Sequence, residues 1–122
     1  MDEITYKTTT EFDKDLKKLV KKFRSLPEDL ETVKVSVVEL YHLQNIDNQS
    51  VFPIPHFCSE ELLICKIKKF ACKSLKGKGC HSGIRVVYSF DIESKEVEFI
   101  EIYYKGNKAN EDKDRISAYL KK

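Results

Sequence analysis

Apolar and polar positions along this chain switch between two periods, and each switch marks an element. Ile4 and Tyr6 alternate with Thr5 and Lys7, which predicts a short strand over residues 4–8. The spacing then lengthens. Phe12, Leu16, Leu19, Val20, Phe23 and Leu26 recur every three or four residues, one apolar stripe on a helix over 11–24. Thr8 and Glu11 form a capping box for its start. Ser25 with Glu28, and Pro27 in the first turn, open a second helix over 28–43 whose stripe is Leu30, Val33, Val37, Leu40 and Tyr41. Val33 to Val37 read alone alternates like a strand, but the cap, the continued stripe and the length decide for helix. Two helices joined so tightly predict an antiparallel hairpin.

Residues 44–61 carry Asn45, Asp47, Asn48, Gln49, Ser50, Pro53 and Pro55 and read as a loop, with Phe52, Ile54 and Phe57 expected to pack down over the core. Residues 62–75 are apolar and cationic without a helix cap and predict a strand. Gly77, Gly79 and Gly83 punctuate a turn. In the strand over 84–90, Ile84, Val86, Tyr88 and Phe90 share one face, and Arg85, Val87 and Ser89 the other. A polar connection over 91–96 leads to a last strand over 97–105. A final helix begins at Asn110 and carries Ile116, Tyr119 and Leu120. The order β-α-α-β-β-β-α describes an α+β fold in one domain spanning 1–122. It is a small two-layer sandwich, a mainly antiparallel twisted sheet with the N-terminal helical hairpin on one face and a basic row on the other.

Charge sharpens this picture. The 122 residues carry a net +2, yet Lys66, Lys68, Lys69, Lys73, Lys76, Lys78 and Arg85 fall between Leu62 and Phe90 with no Asp or Glu among them. That window is +7 and the remainder −5, so the chain presents a local face for a polyanion. No apolar run suits a secretory signal or a membrane span, which points to a cytoplasmic protein. Cys58, Cys65, Cys72 and Cys80 contain no Cys-x-x-Cys pair, so they read as reduced thiols acting as small hydrophobes, with no metal or cofactor. Lysines 66–78 as edge solubilisers, and Arg85 paired across the sheet with Glu98 or Glu101, are the structural alternatives.

The stretch Leu75-Lys76-Gly77-Lys78-Gly79-Cys80-His81-Ser82-Gly83-Ile84-Arg85-Val86-Val87-Tyr88, with Phe99 to Lys105 and Asn110-Glu111-Asp112, resembles the RelE/ParE superfamily of toxins from type II toxin–antitoxin systems. The resemblance implies a RelE-like sandwich held inactive by a cognate antitoxin. It also implies a ribosome-dependent messenger RNA endoribonuclease, or mRNA interferase, that inhibits translation. Arg85 falls on the family's strand arginine at the scissile phosphate, and Lys76 and Lys78 at the spacing of the lysines that work with it. Attack of a 2′-hydroxyl needs proton transfer and positive charge on the phosphate. Arg85 supplies a bidentate fork, and a lysine crowded by like charge is suited to move protons. Lys66, Lys68 and Lys73 are expected to bind RNA. Such ribonucleases generally carry a second arginine after the last strand. Here Tyr103-Tyr104-Lys105-Gly106-Asn107-Lys108 stands there, so Lys105 and Lys108 are candidates for the charge, and His81, Tyr103 or Tyr104 for proton transfer. A ParE-type toxin that inhibits DNA gyrase without catalysis, and an inactive interaction module on the same fold, are the alternative readings.

Overall fold

The computed structural model describes residues 3–79 and 81–121. β1 (Thr5–Thr8) leads into α1 (Thr10–Val20), and Thr9, not Thr8, is the cap, its hydroxyl accepting from the Phe12 amide at 3.1 Å. The first helix stops at Val20 although its stripe runs on: the Lys22 and Phe23 amides both close onto the Leu19 carbonyl, and the Leu26 amide closes a turn onto the Phe23 carbonyl at 3.1 Å. Phe23 and Leu26 are still buried, one in the turn and one at the start of α2 (Leu26–Val33). The helix widens to a π-helical segment (Lys34–Glu39) and closes as α3 (Leu40–Leu43). The β-like alternation around Val35 is therefore helical, and Val35 faces solvent. In the widened stretch the Tyr6 hydroxyl donates to the Lys34 carbonyl and to Glu39, tying β1 to this helix.

The expected loop over 44–61 holds an additional strand, β2 (Val51–Pro53), and a 3₁₀ turn (Pro55–Phe57). Pro53 fits because β2 is an edge strand and the neighbouring ladder bonds, Lys68 N–H to Ser50 O and Ile54 N–H to Ile64 O, do not need its amide. β3 (Leu62–Ile67) is shorter than the 62–75 expected. β4 (Ile84–Asp91) and β5 (Glu96–Tyr104) follow, then α4 (Lys113–Leu120), capped by Asp112 and not Asn110. The sheet order is β1-β5-β4-β3-β2, with β1 parallel to β5 and all other pairs antiparallel. The element order thus differs in detail from the one the sequence suggests.

One face of the sheet packs on α1 and α2 through Phe12, Leu26, Val33, Tyr88 and Phe99. The other face is not simply a basic row. Ile64, Val87 and Ile100 form a second, smaller core there, and α4 covers it with Ile116. The 68–83 connection is fastened to the start of α2. Asp29, 2% exposed, accepts the Ser25 hydroxyl at 2.6 Å and the Lys73 amide at 3.1 Å, and the Ser25 oxygen accepts the Ser74 amide at 2.8 Å, so Ser25 joins the connection to α2 and makes no side-chain cap. No helix of the described residues is long and apolar enough to cross a membrane.

At the far end of the helical face, the His42 ring stacks on Phe90 at 3.9 Å and bonds the Tyr88 hydroxyl at 2.8 Å. Burial, helped by nearby Lys95, pulls its pKa down to about 4. The unfolded chain, with histidine near 6.5, then binds more protons between those values. Stability should be complete above about pH 6.5 and fall as pH drops toward about 4. With solvent screening of the partly exposed ring allowed for, the loss is on the order of 1 to 2 kcal/mol. Thermal melts of parent and His42→Gln across this window check it: the variant starts less stable and loses less.

Candidate functional site

The site rests on a parity change in β5. Val97 and Phe99 point into the helical core, and strict alternation would send Glu101 and Tyr103 there as well. The register shifts instead, from Tyr88 opposite Phe99 to Val87 opposite Glu101, leaving Ile100 as an extra residue. Beyond the bulge Ile102 and Tyr104 take the core face, and Glu101 and Tyr103 emerge on the other face beside Val87 and Arg85.

That face carries Arg85 opposite Tyr103, Lys66 opposite both Val87 and Phe52, and Lys68 just beyond β3. The Arg85 guanidinium donates to the Lys68 carbonyl at 2.6 Å, which aims it across the sheet end. Lys68 lies over the partly exposed Phe52 ring, its Nζ 4.4 Å from the centroid. Cations beside an exposed aromatic ring are the two elements of a single-stranded nucleic-acid surface.

Two carboxylates balance the cations. Glu101, 1% exposed, accepts from the Lys108 ammonium and from the Asp112 amide at 2.9 Å. Glu111 reaches across the face to Lys66 at 2.6 Å. Burial alone would raise the Glu111 pKa, but the Lys66 hydrogen bond and charge outweigh it and hold the carboxyl below its usual range. Tyr103 is pushed up to about 12 by burial and then by Glu111 and Glu101, so at neutral pH it is a hydrogen-bond donor and not a base. Arg85 makes no ion pair with Glu98 or Glu101: Glu98 stands opposite Ser89 and Glu101 opposite Val87.

The structure gathers Arg85, Lys66 and Lys68, with Lys108 alongside through Glu101. It places the other candidates elsewhere. Lys73 is held at the surface end of α2 by Glu28 at 2.5 Å. Lys76, Lys78 and His81 are exposed on the 68–83 connection, whose Leu75 anchors it in the main core. Lys105 is exposed beyond the end of β5, its amide donating to the Gly83 carbonyl. Tyr104 lies on the helical face against Phe23, with Lys22 over its ring, so the tyrosine that shares a face with Arg85 is Tyr103. Cys65 and Cys72 are buried, Cys58 is half-buried, and Cys80 lies outside the described residues. Sequence reasoning missed Phe52, Glu101 and Glu111. The switch of apolar parity from Val97 and Phe99 to Ile100 and Ile102 was the available signal for the bulge that exposes this face.

No protein-family model matches the sequence. No curated protein matches it either. Among solved structures the chain is similar to one from the archaeal RelE–RelB complex of Pyrococcus horikoshii OT3. The TM-score is 0.50 over 84% of this chain and 96% of that one, with 15% of residues identical. A likeness at that identity concerns the backbone arrangement, and the chain has a RelE-like fold.

Proposed function

We propose that this chain is the toxin of a toxin–antitoxin module and cleaves messenger RNA on the ribosome through the sheet face that carries Arg85, Lys66 and Lys68. The observation that carries the reading is Arg85, fixed by the Lys68 carbonyl on a face that also presents Phe52, Lys66 and Tyr103, within a RelE-like fold. Arg85 would hold the scissile phosphate as charge builds during attack by the neighbouring 2′-hydroxyl, with the Tyr103 phenol as a neutral donor beside it. Phe52 offers a stacking surface for a base. Lys76 and Lys78 make no ion pair among the described residues and would meet the RNA from the exposed loop. Lys105 would add charge from the end of β5. A partner that folds on binding, in the role RelB has in the similar complex, would serve as antitoxin.

One observation favours a second reading. Lys66 and Lys108 are neutralised by Glu111 and Glu101, and Tyr103 is no base, so proton transfer has no poised residue on this face. A non-catalytic toxin, acting on DNA gyrase or another protein, needs none. Expression that halts DNA replication while protein synthesis continues would support this alternative.

In single-turnover cleavage of messenger RNA on programmed ribosomes, Arg85→Ala should remain folded and slow cleavage by on the order of 100-fold, as loss of one preorganised donor does. Arg85→Lys should also be impaired because a point charge lacks the planar fork. Lys17→Ala, on the exposed side of α1, should match the parent. A folded Arg85→Ala that cleaves at the parent rate would end the ribonuclease reading.

Binding to single-stranded RNA should weaken steeply with salt. With Lys68, Lys76, Lys78 and Arg85 each taking a phosphate, log K should fall with log salt at a slope of about −2 to −3. Fluorescence titration at several salt concentrations measures it, and a flat response would mean that these cations only solvate the surface.

A further inference from the structure

Glu111 is a side chain on this sheet face whose place the proposed chemistry leaves unexplained. It comes from the segment after β5, yet its carboxylate crosses β4 to reach Lys66 on β3 at 2.6 Å. The ion pair is enclosed, with side-chain exposures of 14% for Lys66 and 9% for Glu111. Burial and then the charge of Glu111 raise the pKa of the Tyr103 phenol on the same face. An ammonium and a phenol are also what a phosphate oxygen accepts from. Arg85 stands opposite Tyr103 and two residues along β4 from Val87, the partner of Lys66, so its guanidinium borders the same spot.

We infer that Lys66 and Tyr103 form a phosphate subsite beside Arg85, and that Glu111 fills this subsite in the free chain as an internal anion. The inference rests on the reading of this face as a polynucleotide site. Lys66 is enclosed, 14% exposed, and leaving it without a counter-charge is costly, so the Glu111-filled state is favoured until another anion takes the seat. Binding of RNA phosphate and withdrawal of Glu111 are thereby one exchange. α4 does not need to lift for it. The helix is fixed by fully buried Ile116 and by Arg115, which pairs with Asp15 at 2.6 Å and donates to the Ile100 carbonyl. Glu111 lies outside that anchorage, before the Asp112 cap, and rotation of its side chain is enough.

The test is direct binding of a labelled single-stranded oligoribonucleotide, with thermal melting alongside. A subsite that is open only part of the time weakens apparent affinity by the open fraction. Glu111→Gln should therefore bind about tenfold tighter than the parent, with a salt slope steeper by about 0.7 for the added phosphate contact. Adding Lys66→Met to Glu111→Gln should cancel both gains. Inorganic phosphate should raise the Tm of Glu111→Gln more than that of the parent. Where Glu111→Gln fails to fold, Glu111→Asp keeps the charge, draws it back by one methylene and should show a smaller gain in the same direction. A folded Glu111 variant that binds no tighter, or a gain that survives loss of Lys66, overturns the inference. Cleavage is read in none of these arms. If Arg85→Ala slows cleavage but Glu111→Gln gains no affinity, the subsite alone is wrong. If Arg85→Ala cleaves normally while Glu111→Gln tightens in a Lys66-dependent way, the ribonuclease reading falls and the subsite stands.

Discussion

One extra residue in β5 decides what this sheet can present. Without the bulge at Ile100, the row that begins with Val97 and Phe99 would carry Glu101 into the helical core, where a carboxylate has no partner. The bulge reverses the parity, so the core keeps an unbroken apolar row through Ile102 and Tyr104. The opposite face gains Glu101 and Tyr103 next to Arg85. Position along β5 then sorts cover from site. Near the bulge, Ile100 and Val87 need burial and receive Ile116 from α4. Toward the strand end, Arg85 is left half-buried at the margin of that cover, beside the buried Tyr103.

The same face shows why a +7 stretch of sequence does not become a +7 patch. Its cations are divided by the fold. Lys73 goes with the Asp29 anchor to the start of α2, Lys66 is matched by Glu111, and Lys68, Lys76 and Lys78 remain exposed. The carboxylates that neutralise the face come from outside the basic window, from β5 and the segment before α4. Charge counted along the chain therefore overstates the local field, and the register across strands corrects it.

Much of the architecture was legible because it follows from period. The helical stripes, the strand parity of Ile84 to Phe90 and the hairpin between the last two strands are each carried by a local repeat. Boundaries failed where one residue competed with the pattern. The chain turned after Val20 within a stripe that continued in sequence, and the Ser74 amide, far along the chain, took the Ser25 oxygen from its capping role. β2 was hidden because three residues, the last a proline, give no repeat to count, and its identity as a strand depends on β3 beside it. Arg85 could be placed from alternation alone. Glu101 and Glu111 could not, since one depends on a bulge and the other on a contact between residues far apart in sequence.

The enclosed Lys66–Glu111 pair is hard to explain by stability. An ion pair taken out of water gives back in attraction about what it lost in hydration, and an apolar pair of similar size is commonly as good or better. The surroundings would accept one, for Ile64 precedes Lys66 on the same strand face and Val87 lies opposite it. What the ion pair keeps, and an apolar pair would lose, is a cation held in position with its solvent already removed. A phosphate arriving at such a seat meets a donor that needs no further desolvation, and the carboxylate that leaves regains full hydration at the exposed 105–110 segment beside it. The desolvation of Lys66 is thus met during folding, where Glu111 offsets it, and not during binding.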